Sequence, residues 1–146
     1  MILNTWEDRT NYLERMQNYL VSKFGSDHYN VFFFGSILRD DYKPGKSDID
    51  VAVYADNYAL ELDVCIALET FFKETEMDNS ILQISISQKN AFVILSPLSL
   101  NVSVTDFYPE ELVNYRRQLA RRWFWYNEDK KMFTARRSDE QKELVK

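Results

Sequence analysis

The stretch Val31–Tyr54, VFFFGSILRDDYKPGKSDIDVAVY, sets two apolar runs on either side of a polar loop. The first run, taken back to Tyr29, and the second, Ile49 to Tyr54, have the length and the β-branched and aromatic content of buried strands. The loop between them holds Gly35, Ser36 and Arg39 and turns at Pro44-Gly45. The second run opens on Asp48 and Asp50. Residues i and i+2 of a strand project from one face, so the two carboxylates stand side by side while Ile49, Val51 and Val53 point into the core. Like charges this close repel, and one of them resists ionisation unless a cation sits between them. Mg²⁺ answers that need, because it prefers oxygen ligands and is commonly held by one or two carboxylates plus substrate phosphates. The loop offers the phosphate side. Gly35 lets backbone approach an anion closely, Ser36 brings a hydroxyl and an N–H near a helix start predicted over 37–41, and Arg39 and Lys46 add positive charge. An isolated Asp-Ile-Asp reads as a turn cap and a solvated strand edge, and an isolated Gly-Ser says as little. Together, at matching ends of two strands with eleven residues between Ser36 and Asp48, they point to a metal–phosphate site.

Around this centre the chain alternates. Thr5 followed three residues later by Asp8 forms a capping-box pattern. Trp6, Leu13, Met16, Leu20 and Phe24 then recur at helical spacing up to Gly25. Ala59 to Lys73 repeats that period, with Cys65 at a core position. Ile81 to Ser87 alternates Leu82, Ile84 and Ile86 against Gln83, Ser85 and Ser87, which predicts a half-buried strand. Ala91–Leu95 and Leu100–Thr105 read as further extended runs. A C-terminal helix is predicted from about residue 109, carrying Leu112, Tyr115, Leu119, Trp123 and Tyr126, and a mixed-charge tail from about 135. The expected fold class is α/β (α+β): one domain over 1–146, with a mixed central sheet of four to five strands flanked by helices.

The 146 residues suit one domain, and 10 Phe, 9 Tyr and 3 Trp supply ample core material. With 23 acidic against 18 basic side chains, the net charge of −5 argues against broad attraction to nucleic acid or anionic membrane. A local basic contact for nucleic acid is still offered by Arg116, Arg117 and Arg121, although Arg stems covering apolar surface are the plainer reading. One cysteine excludes an internal disulfide and indicates a reducing compartment. No apolar run spans a bilayer and the N-terminus is no signal peptide, so a cytoplasmic protein without membrane contact is expected. The single histidine, His28, precedes a strand and leaves no material for zinc or histidine-base chemistry. Tyr42 and Tyr54 flank the acidic pair, where packing is favoured over stacking on a base.

The residues FGSILRDDYKPGKSDIDVAV resemble the signature of the nucleotidyltransferase superfamily related to DNA polymerase β. It consists of a hydrophobic strand, Gly-Ser, an Arg three after the Ser, and Asp-x-Asp opening the next strand. Size and placement resemble the minimal nucleotidyltransferases, which include antibiotic-modifying enzymes and antitoxins partnered with toxins. The likeness is close over Val31–Val53. It implies that Gly35 and Ser36 hold nucleotide phosphates and that Asp48 and Asp50 bind Mg²⁺, with two ions in the active complex and Mn²⁺ an alternative. The reaction implied is transfer of a nucleoside monophosphate from an NTP, ATP first, to an acceptor hydroxyl. Active relatives usually add a third carboxylate on a later strand. Here Ser85 falls at that place by spacing, and Asp106 is the fallback, with capping of the helix near Pro109 as its alternative role. Were neither to serve, the chain would be a weak or inactive binding module, such as an antitoxin-like subunit with a toxin-like partner.

Overall fold

The computed structural model describes residues 1–87, 100–108 and 110, and the backbone of Phe124–Asn127 and Met132–Ala135. Helix α1, Trp6–Phe24, starts where the capping box predicts. Thr5 Oγ1 accepts from the Asp8 N–H at 3.0 Å, while Asp8 Oδ2 accepts from the Thr5 N–H at 3.2 Å. Strand β1, Tyr29–Phe34, leads into a single 3₁₀ turn over Gly35–Leu38, shorter than the predicted helix start because the Arg39 N–H closes back onto the Ser36 carbonyl at 2.9 Å. Strand β2, Ile49–Ala55, and helix α2, Tyr58–Glu74, follow. Asn57 caps α2 by accepting from the Leu60 N–H at 2.8 Å.

Strand β3, Asn79–Gln83, runs parallel to β2, as a strand–helix–strand crossover permits, and β1 runs antiparallel to it. Strand β4, Asn101–Ser103, pairs antiparallel with β1 and completes the mixed four-stranded sheet β3-β2-β1-β4. The predicted mixed sheet with helices against it is therefore the observed α+β architecture. Both helices pack on one face: Tyr12, Met16 and Leu20 of α1 and Val64, Leu68 and Phe72 of α2 close over Val31, Phe33, Val51 and Val53. The opposite face carries a smaller cluster of Phe32, Ala52 and Ile84.

Two elements depart from the sequence reading. The strand predicted over Ile81–Ser87 lies earlier, at Asn79–Gln83. Beyond it the Ile86 and Ser87 N–H groups both turn back to the Gln83 carbonyl, which leaves Ile86 70% exposed instead of packed with Ile84. The helix predicted through Tyr126 gives way to β5, Phe124–Asn127, paired antiparallel with β6, Met132–Ala135. Aromatic residues fit a pleated surface at least as well as a helix, and here the pairing prevails. Apart from Glu110, the remainder of that predicted helix, the tail after Ala135 and Ala91–Leu95 lie outside the described residues. Among the described residues no helix is long and apolar enough to cross a membrane.

Cys65 takes the predicted core position in α2. Burial, and then the charges of Glu61 and Glu69, push its thiol up to about 11. At pH 8 iodoacetamide should therefore label the native protein about a hundredfold more slowly than the urea-unfolded chain. Equal rates in the two states would show the thiol to be accessible and ordinary.

Candidate active site

The β1–β2 ladder builds the site. Asp50 lies opposite Phe34, so the turn that follows β1 begins beside the Asp50 carboxylate. Gly35 takes φ +79°, a region L side chains rarely occupy, and a Cβ at that position would meet Asp50 Oδ2. Glycine is thus required twice, by conformation and by space. Ile49, Val51 and Val53 are fully buried on the helix side, which fixes Asp50 on the other face. Asp48 is exposed immediately before β2. Half-burial raises the Asp50 carboxyl above the usual carboxylate range and the charge of Asp48 raises it further, while Arg39 pulls it down. That is the like-charge tension the sequence predicts. The Asp50 carboxylate receives no hydrogen bond from the described residues. Two hard oxygen donors in mutual repulsion, next to backbone kept clear of a side chain, fit a divalent cation shared with phosphate.

The other predicted residues are placed less simply. Ser36 sits half-buried in the 3₁₀ turn. Arg39 leaves that turn exposed and spends its guanidinium on Asp41, with 3.0 and 3.1 Å contacts to the two carboxylate oxygens. Lys46 is exposed in a tight turn closed by its own N–H on the Lys43 carbonyl at 3.0 Å, two residues before Asp48. Tyr42 is buried and Tyr54 stacks on Phe107 with ring centroids 5.9 Å apart, so both serve packing.

The structure places both third-carboxylate candidates away from the Asp48–Asp50 pair. Ser85 lies beyond β3, where its N–H and hydroxyl donate to Glu61 Oε1 at 3.2 and 2.5 Å. That places it at the Ala55 end of β2, whose N–H also reaches Glu61. The β3 residue in register with Asp50 is Ser80, so Ser80 and Leu82 share the acid face, while Ile81 and Gln83 lie on the other. Asp106 follows β4 at the opposite end of β1. Buried Asn30 donates to the carbonyls of Thr105 and Phe107 on either side of it, at 3.0 and 2.5 Å. Five residues of β1 separate that end from Phe34, about 16 Å along a strand. On the other flank, β4 brings Asn101 beside Phe34. Among the described residues no three of His, Cys, Asp and Glu are grouped to hold a metal ion. Arg116, Arg117 and Arg121 lie outside the described residues.

One residue near the site carries no sequence signal. Arg9 of α1, only 7% exposed, donates through one terminal nitrogen to the carbonyls of Ile37 and Arg39, at 3.3 and 2.8 Å. Its guanidinium lies over the rings of Trp6 and Tyr42, 4.0 and 4.4 Å from their centroids. Arginine on an amphipathic helix reads by default as solvated, and only the aromatic Trp6 one turn before it hints otherwise.

The nucleotidyltransferase domain family matches this chain over residues 13–133, a span that includes the Gly-Ser turn, the carboxylate pair and most of the chain. Neither the curated proteins nor the solved structures gave a match. With its strand, Gly-Ser turn and Asp-x-Asp pair assembled on one mixed sheet, the chain belongs to the nucleotidyltransferase domain family, the polymerase β-like nucleotidyltransferases.

Proposed function

We propose that the protein transfers a nucleoside monophosphate from an NTP, ATP first, to an acceptor hydroxyl on a small molecule or a protein, in the manner of the minimal nucleotidyltransferases. The observation that carries this reading is the apposition of Asp50, charge-stressed by Asp48, to a Gly35 that has no room for a side chain. Asp48 and Asp50 would hold Mg²⁺, two ions in the active complex or Mn²⁺ in their place. Bound there, the metal would lower the pKa of the acceptor hydroxyl and neutralise charge on the departing pyrophosphate. Gly35 and Ser36 would cradle the phosphates. Arg39 would join them by exchanging Asp41 for the more highly charged triphosphate, and Lys46, exposed near Asp48, would add a flexible positive charge. Cytoplasmic residence, where NTP and Mg²⁺ are plentiful, agrees with the single buried thiol.

A second reading is favoured by one observation: Ser80 and Asn101 stand in register beside the site, where a third carboxylate would be of use. On that reading the chain binds metal-nucleotide but turns it over slowly or not at all, as a module that masks a toxin-like partner. Incubation with α-labelled ATP, Mg²⁺ and candidate acceptors separates the two. The leading reading predicts labelled acceptor and released pyrophosphate, both absent from Asp48→Asn/Asp50→Asn. Tight nucleotide binding without covalent product across small-molecule and protein acceptors favours the module.

A further inference from the structure

Arg9 presents an energetic puzzle. It is a nine-tenths buried cation with no carboxylate partner among the described residues, and its Nε is buried with no hydrogen-bond partner. A buried charge is costly unless paired, and an apolar side chain of similar length would fill the same gap between Trp6 and Tyr42 at less cost. Its two carbonyl acceptors, Ile37 and Arg39, belong to the turn that carries Ser36, and the Arg39 N–H itself closes on the Ser36 carbonyl. Arg39, the more obvious cation, is already committed to Asp41. Arg9 also lies ahead of the residues matched by the family, which begin at 13. We propose that Arg9 positions the phosphate-holding turn, and that its unneutralised charge is matched by the bound triphosphate. The proposal rests on the nucleotide reading above. Arg9 touches no substrate on this view. It sets the carbonyls of the turn from behind, which leaves Ser36 free to face the anion, and lends the turn a positive field from a buried position that water screens poorly.

The test compares wild type, Arg9→Met and Arg9→Lys in calorimetric titrations with Mg²⁺ plus α,β-methylene-ATP, and separately with AMP, alongside thermal melts. A charge aimed at the polyphosphate predicts that Arg9→Met loses about tenfold in triphosphate affinity and less than twofold for AMP. Arg9→Lys, which keeps the charge but not the two-carbonyl reach, should fall between. Should Arg9→Met not fold, the ratio measured in Arg9→Lys decides in the same way. A merely structural role would weaken both nucleotides together or neither, and an unchanged ratio in the folded variants overturns the proposal alone. Absence of binding by the wild type would overturn the nucleotide reading and this proposal with it.

Discussion

Gly35→Ala should abolish metal-dependent nucleotide binding while leaving the protein folded. Two effects act at this position. The backbone stands at φ +79°, where an L side chain costs about 1–2 kcal/mol. The new methyl would also occupy the space of Asp50 Oδ2, and its neighbours Asp50 Cγ and Cβ lie only 3.3 and 3.4 Å away. The carboxylate must swing, and with it any ligand it shares with Asp48. Gly25→Ala is the control. Gly25 has a similar φ of +76° but nothing within 4 Å, so it bears the conformational cost without a collision. Both variants should lose stability on the order of 1–3 kcal/mol in urea unfolding, and only Gly35→Ala should lose binding. Binding retained by Gly35→Ala would mean that Asp50 has no part in holding the ligand.

Asp50→Asn should do the reverse of an ordinary core mutation, with stability gained and activity lost. The Asp50 carboxyl is raised in the folded state by burial and by Asp48. Between the unfolded carboxylate pKa and the raised folded value, the native protein binds the extra proton, so unfolding free energy falls as pH rises through that window. Above the folded value the full penalty is present, and at neutral pH it destabilises the protein. Removing the charge should therefore raise Tm at pH 7. The gap should narrow as pH falls through the carboxylate range. Mg²⁺ with nucleotide should stabilise the wild type and not the variant, because only the intact pair gains by ligation. Nucleotidyl transfer by Asp50→Asn should drop by about a thousandfold, the scale of losing a principal electrostatic stabiliser. A variant less stable than wild type at pH 7, or one that transfers nucleotide normally, would contradict this picture.

The part of the molecule legible in the sequence is the part where local and tertiary demands agree. Thr5 and Asp8 announce the start of α1, and the boundaries of β1 fall at Tyr29 and Phe34 as predicted. The alternation of Asp48, Ile49, Asp50 and Val51 fixes which residues face the helices. Legibility fails where a distant partner decides. The alternating pattern from Ile81 continues through Ser87, but Glu61, buried in the first turn of α2, captures Ser85 from outside the ladder. Asp106 is carried away from the pair by Asn30, a buried side chain that no spacing rule connects to residues 105–107. Arg9 is hidden for the same reason, since its carbonyl partners lie about thirty residues on. The aromatic run before Asn127 satisfies helix and strand patterns alike, and pairing with Met132–Ala135 settles it.

The account turns on two carboxylates being made compatible by a cation that they share with a phosphate chain. Electron paramagnetic resonance of Mn²⁺ titrated with the protein and α,β-methylene-ATP reads that directly, through loss of the free-ion signal. The wild type should take up Mn²⁺ with the analogue, and Asp48→Asn/Asp50→Asn should return the signal to that of the analogue and metal alone. Equal Mn²⁺ uptake by the double variant, or uptake by wild type that ignores the nucleotide, would contradict the account.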